Sequence, residues 1–296
     1  MTHGRAVATM VAVTLMWSIA GVVTRHLEAA RSFEVTFWRS AFNALALAVL
    51  LAVLRGPAPL WRAITGGGRT LWVSAACWCV MYTNFMVAIT LTTVANVLIT
   101  MATAPLFTAV IARVALGHRL PLRTWVAIVV AGLGIAWMYG TEVSGADTRH
   151  LVGTAVALGV PLAAAINWTV IQHQSRGAQQ DMLPAVLLGA LLSALLTLPL
   201  AVPFAASAHD LGLLALLGVV QLAIPCLLVV TCARVLPAPE IALLALLEVL
   251  FGVAWAWLGA GEQPSAAVIG GGLMVLGALA ANEALALRSQ ARLHRR

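Results

Sequence analysis

The sequence predicts an all-α membrane protein of ten transmembrane helices, arranged as two inverted five-helix repeats with the N- and C-termini cytoplasmic. Three observations predict it: apolar runs of spanning length, a one-sided distribution of arginine, and an internal likeness between the two halves. Hydrophobic residues make up 62% of the 296 and charged residues 9%, whereas an ordinary soluble domain has roughly 45–50% and about 25%. A bilayer core takes about 20 apolar residues of helix to cross, and runs of that length fill most of the chain. The twelve prolines and twenty-four glycines fit the same class, because membrane helices tolerate both better than soluble ones do.

In chain order the first half reads as helices at about 6–24, 34–54, 70–89, 95–116 and 122–139. The second half reads as helices at about 152–172, 183–203, 210–234, 238–259 and 264–286. The first run is long enough to remain as a helix and is not read as a cleaved signal peptide. Residues 55–69 form the longest expected loop, so no soluble domain fits between helices. The chain has no lysine. With the N-terminus inside, thirteen of the seventeen arginines fall in inner segments and only Arg25, Arg31 and Arg149 in outer ones. Cytoplasmic segments of membrane proteins carry that excess, and it accounts for the +7 balance without nucleic acid. The chain then divides into a first repeat over 1–140, a second over 141–287 and a basic tail over 288–296.

The internal likeness runs from Asn96 and from Glu240, where a shift of 144 residues matches Gly117 to Gly261, Ala112 to Ala256 and Pro105 to Val249. Identities are few; the shared pattern is a long apolar helix, a tight glycine turn and a Gly/Ala-rich helix. An odd number of helices per half forces the halves into opposite orientations, and inverted repeats of this kind place a transporter's substrate site near the midplane.

Candidate functional residues follow from depth. Glu248 is the one charge between Ile241 and Ala260, and a carboxylate within a spanning helix is a functional site by default. It is expected to line a central cavity and to bind a substrate amine or a coupling proton, or else to hydrogen-bond a neighbouring helix. The 144-residue shift sets it level with Ala104, beside Pro105, whose missing N–H should bend helix 4. Pro161 and Pro225 should bend helices 6 and 8. Arg39, with Asn43 one turn deeper on the same face, could hold a substrate carboxylate, snorkel outward, or pair with Glu34. Trp17, Trp78, Tyr82, Trp168 and Trp255 lie at depth. Trp78 and Tyr82 share a face, and Trp17 and Trp168 are possible repeat partners. Asn167, Thr100, Asn84, Asn96, Thr103 and Gln221 are the polar residues within helices, with Asn96 read as a cap. Trp61, Trp72, Trp125 and Trp137 lie near helix ends, where indoles anchor at the interface. Gly132, Gly134, Gly270–Gly272 and Gly277 allow close helix approach. The four cysteines lie in apolar runs as small packing residues. No metal-ligand spacing, enzyme motif or cofactor motif is present, and with no lysine no phosphate-binding loop for ATP is possible.

The stretches "LMWSIAGVVTR" (15–25), "FWRSAFNALALAVLL" (37–51), "TTVANVLITMATAPLFTAVIARVALGHRL" (92–120) and "LPAPEIALLALLEVLFGVAWAWLGAGEQPSAAVIGGGLMVLGALA" (236–280) resemble the drug/metabolite transporter superfamily, in its EamA branch. Glu248-Val249 stands where that family has Glu-Pro, and Gly117-His118 where it often has Gly-Glu. Within the branch the chain most resembles YddG-type exporters of aromatic amino acids. The resemblance implies a non-enzymatic exporter in the bacterial inner membrane that moves small organic solutes, amino acids or related metabolites and otherwise amphipathic drugs, by alternating access. It implies a lipid bilayer and a small-molecule substrate as partners, with a monomer plausible.

Overall fold

The computed structural model describes residues 1–30, 32–92, 94–116, 121–139, 148–176, 181–260 and 266–293. Among these the chain is helical throughout, with no strand. The elements of the first half are α1 (His3–Trp17), α2 (Ala20–Thr24), α3 (Ser32–Arg55), α4 (Pro57–Thr65), α5 (Gly68–Leu91), α6 (Val94–Met101), α7 (Ala104–Leu116) and α8 (Leu122–Tyr139). Those of the second half are α9 (Thr148–Arg176), α10 (Leu183–Ala201), α11 (Ala208–Leu216), a π-helical segment (Leu217–Ala223), α12 (Ile224–Cys232), α13 (Ala238–Ala245), α14 (Leu247–Ala260) and α15 (Ala266–Leu293). Among the described residues, six spans are long and apolar enough to cross a membrane: His3–Thr24, Phe33–Arg55, Gly68–Leu91, Leu151–Gln174, Leu183–Ala201 and Ala208–Cys232.

Several helices that hydropathy reads as continuous are broken, because a one- or two-residue break leaves apolarity unchanged. Ser18 and Ile19 separate α1 from α2; the Ser18 hydroxyl donates back to the Leu15 carbonyl at 2.7 Å, a bond that competes with the helix ladder. Ala102 and Thr103 separate α6 from α7. Pro105 cannot donate to the carbonyl four residues earlier, so it sits in the opening turn of a new segment, where no donor is needed. The Thr103 hydroxyl covers the Thr100 carbonyl at 2.6 Å. Leu246 separates α13 from α14 with no proline beside it, and tightened bonds from Leu246 to Leu243 and from Val249 to Leu246, both 3.1 Å, close the gap. The π-helical segment ends against Pro225, whose missing N–H leaves the Gln221 carbonyl without its α-helical donor. By contrast α9 runs unbroken through Pro161. The expected loop at 55–69 contains α4, entered through Gly56 at φ 84°, a conformation that costs glycine little.

The main pairings are α3 with α10, α5 with α9 and α10, α8 with α15, α7 with α9 and α13, the π segment with α3, and α1 with α12, α13 and α14. Close approach depends on glycine where the backbones meet. A Cβ on Gly134 would lie 2.7 Å from the Gly271 carbonyl of α15, whereas Gly132 and Gly277 face open space. The Ser193 hydroxyl meets Ser40 at 2.9 Å and Thr83 at 2.8 Å, joining α10, α3 and α5. All four cysteines are buried and free. Trp61, Trp72 and Trp137 are exposed, whereas Trp125 packs part-buried against the cluster that holds Ala127 and Ala131.

Two acids, Asp210 and Glu34, tie the α2–α3 and α10–α11 connections together. Asp210, fully buried, accepts the backbone N–H groups of Glu28, Ala29 and Ala30 at 2.8, 3.0 and 3.0 Å. It also completes a capping box with Ser207. Glu34 turns to the N–H groups of Ala205 and Ala206, so it is not the partner of Arg39. At the opposite end His3 meets Glu240 at 2.7 Å, and Asp181 pairs with Arg55 and, at 3.5 Å, with Arg234. Replacing Asp210 with alanine strips three backbone donors and a helix cap at once. It should lower stability by about 3 kcal/mol, read as a fall in melting temperature of the detergent-solubilised protein. Asp181→Ala, which breaks only part-exposed ion pairs, should cost under about 1 kcal/mol.

Candidate functional site

A central cavity of about 110 Å³ lies among α1, α3, α5, α6, α7, α9, the π segment, α12, α13 and α14. Of the residues singled out from the sequence, Trp17, Arg39, Trp78, Tyr82, Trp168, Pro161, Gln221 and Glu248 line it. Asn167 does not; it is buried and its Oδ1 accepts the Ser74 hydroxyl at 2.6 Å. Asn43 is buried behind the wall, near the Tyr82 hydroxyl but without a well-aligned hydrogen bond to it. Thr100 is buried at the α6–α7 break and Pro105 and Pro225 are buried in opening turns, all three outside the lining. Asn84 bridges α5 to the Val156 carbonyl of α9 at 3.0 Å, and Trp255 donates to the Ser18 hydroxyl at 3.0 Å. The side chain of Asn96 lies outside the described residues.

Glu248 does not sit in mid-helix. The break at Leu246 places it in the first turn of α14, where the helix dipole favours a negative charge. It is 7% exposed and makes no hydrogen bond or ion pair to any described residue. It also lines a smaller side pocket of about 40 Å³ with Ser18 and Arg25. Glu248 therefore faces open space on two sides.

Arg39 is 3% exposed. Its Nε and Nη2 both donate to Oε1 of Gln221, at 3.2 and 3.0 Å, and Nε2 of Gln221 donates to the Trp17 carbonyl at 3.1 Å. The guanidinium carbon lies 5.5 Å from the centre of the Phe85 ring, a cation–π contact. Arg39 neither snorkels outward nor pairs with Glu34; the π segment brings it a neutral partner.

The aromatic wall is made by α5 and α9. Trp78 stacks on Tyr82 with centroids 5.5 Å apart and meets Trp168 edge-on at 5.5 Å. Met81 and Phe85 extend the same face of α5. The spacing 78, 81, 82, 85 is one stripe of a helix, a signal by which Phe85 could have been found from the sequence. Gln221 and Cys226 also line the cavity. Only long-range packing selects Gln221 from the other polar residues.

Lining residues recur at the 144-residue shift. Trp17 and Pro161, Trp78 and Leu222, Tyr82 and Cys226, Leu98 and Ala242, Met101 and Ala245, and Ala104 and Glu248 are each separated by 144. The segments α6 and α13 correspond residue for residue at that shift, as do the first residues of α8 and α15. Trp17 falls opposite Pro161 in this register, not opposite Trp168.

A solved structure described as "Crystal structure of protein" matches with a TM-score of 0.76, covering 95% of this chain and 99% of that chain at 15% identity; the likeness is one of fold. No curated protein matches the chain. Residues 4–140, which run from α1 to the end of α8, match the model of the EamA-like transporter family.

Proposed function

We propose that the chain is a membrane transporter of small organic solutes, built as two inverted EamA-like repeats with ten membrane crossings. We assign it the export of amino acids with aromatic or other apolar side chains across a bacterial inner membrane, by alternating access. The observation that carries the reading is the central cavity: an aromatic wall facing a buried carboxylate that bonds to no described residue. A pocket of apolar walls with few placed polar groups suits a small amphipathic solute. The family match over residues 4–140 supports a transporter, and the paired lining residues support a second repeat that the family model does not reach. Helix pairings support it too. Under exchange of the halves, α5 with α9 becomes α12 with α1, α6 with α9 becomes α13 with α1, and α7 with α9 becomes α14 with α1; all of these pairs are in contact. The arginine asymmetry supports cytoplasmic termini.

The cavity, at about 110 Å³, is smaller than the hole of about 150 Å³ that admits benzene. Solute entry therefore displaces side chains, and unbranched Met81 and Met101 in the wall can give way at small cost. This favours compact solutes over multi-ring drugs. Purified protein in liposomes preloaded with a labelled panel of amino acids and cationic dyes tests the reading. Aromatic or aliphatic amino acids should leave chemically unchanged and faster than from protein-free vesicles. Loss of dyes only, or chemical conversion without flux, would overturn it.

A further inference from the structure

We infer that Arg39, with the Trp78 indole N–H and the Tyr82 hydroxyl, forms a carboxylate site across the cavity from Glu248, which makes the protein selective for zwitterions over simple amines. The inference rests on the transport reading above and names the feature a solute needs.

Arg39 presents about five N–H donors. Two of its nitrogens bond Gln221, Phe85 covers part of the guanidinium, and the remaining donors have no described partner. Gln221 is neutral, so no described acid bonds the guanidinium directly in this buried site. Nε1 of Trp78 and the hydroxyl of Tyr82 are buried without a well-aligned hydrogen bond to any described residue; Asn43 and Cys226 lie beside the Tyr82 hydroxyl, and Trp78 and Tyr82 both line the cavity. Leaving such groups unpaired costs about 1–3 kcal/mol each, which an incoming acceptor recovers. Tyr82 lies within the electrostatic reach of Arg39, and so does Glu248, yet no ion pair joins Arg39 to Glu248. A buried cation and a buried acid that face one cavity without meeting are each costly alone. A solute carrying both a carboxylate and an ammonium satisfies both. A simple amine leaves Arg39 bare, and a simple acid leaves Glu248 bare. Gln221 acts as a positioning residue: the π turn carries its carbonyl to Arg39 and fixes the guanidinium by a fork no aliphatic side chain would supply.

The test uses three probes with one phenyl ring: L-phenylalanine, phenethylamine and 3-phenylpropionate. Their binding to the full-length protein in detergent is followed by tryptophan fluorescence. Wild type should bind L-phenylalanine at least about tenfold more tightly than phenethylamine, the span of one charge-assisted contact. Arg39→Gln should erase that advantage while leaving phenethylamine within about threefold of its wild-type affinity. Tyr82→Phe, which keeps the ring stack, should weaken L-phenylalanine and 3-phenylpropionate several-fold and spare phenethylamine; it decides the matter if Arg39→Gln does not fold. Equal wild-type affinity for L-phenylalanine and phenethylamine overturns the inference, as does no binding of any probe, or a variant that weakens all three alike. Binding is read without flux. A protein that binds these probes as stated but moves no amino acid across liposomes would sink the transport reading and leave the carboxylate site standing.

Discussion

Glu248→Gln should reduce amino acid flux in liposomes about 30- to 100-fold while leaving the melting temperature within about 3 °C of wild type. The first number follows from replacing a charged contact to the solute's ammonium by a neutral one, worth about 2–3 kcal/mol in a desolvated site, at about 1.4 kcal/mol per factor of ten. The second follows from the surroundings. Glu248 bonds to no described side chain, so glutamine removes no protein contact, and it removes the cost of burying a charge. A structural carboxylate behaves differently: Asp210, with three backbone donors from the α2–α3 connection, should lose stability when altered. If Glu248→Gln lowers flux and melting temperature together, the acid holds helices and does not hold solute. Flux unchanged from wild type would remove Glu248 from the binding machinery altogether.

Much of this site was legible in the sequence because membrane burial makes charge conspicuous. Glu248 and Arg39 stand out against apolar surroundings whatever the fold, and Trp78 and Tyr82 share a face at helical spacing. What composition cannot carry is the backbone break. Leu246 is one leucine among several, with no proline or glycine to mark it, yet the break there moves Glu248 from mid-helix to a helix start. The matching break at Ala102–Thr103 was visible only through Pro105. Partnerships over long sequence distance were equally hidden. Arg39 and Gln221 are 182 residues apart, and Glu34, one of the expected possibilities for Arg39, instead turns to the backbone of Ala205 and Ala206. Asp210 carried a local signature, Ser207 followed three residues later by an acid. Its larger role, gathering the backbone of residues 28–30, depends on two connections from different halves meeting in space.

The packing of the π segment against α3 leads to the sharpest stability contrast in the chain. Gly218 and Gly212 lie six residues apart on one span, and adding a methyl group to each should have opposite effects. A Cβ on Gly218 would sit 2.6 Å from Phe42 Cβ and 2.8 Å from both the Arg39 carbonyl and the Asn43 amide nitrogen. Two of these are backbone atoms in the middle of α3, which cannot rotate away, so the helices must separate. Overpacking of this kind costs about 1–3 kcal/mol, and the upper part of that range is expected where backbone blocks backbone. Separation also pulls Gln221, one turn along, away from Arg39, so Gly218→Ala should weaken solute binding as well as fold. At Gly212 a Cβ meets nothing within 4 Å, and its helical position gains about 0.5–1 kcal/mol from alanine. Melting temperatures of the two variants in one detergent should therefore fall on either side of wild type, separated by several degrees. A Gly218→Ala protein as stable as Gly212→Ala would mean that α3 and the π segment do not touch at their backbones, and the Arg39–Gln221 pair would lose its geometric basis.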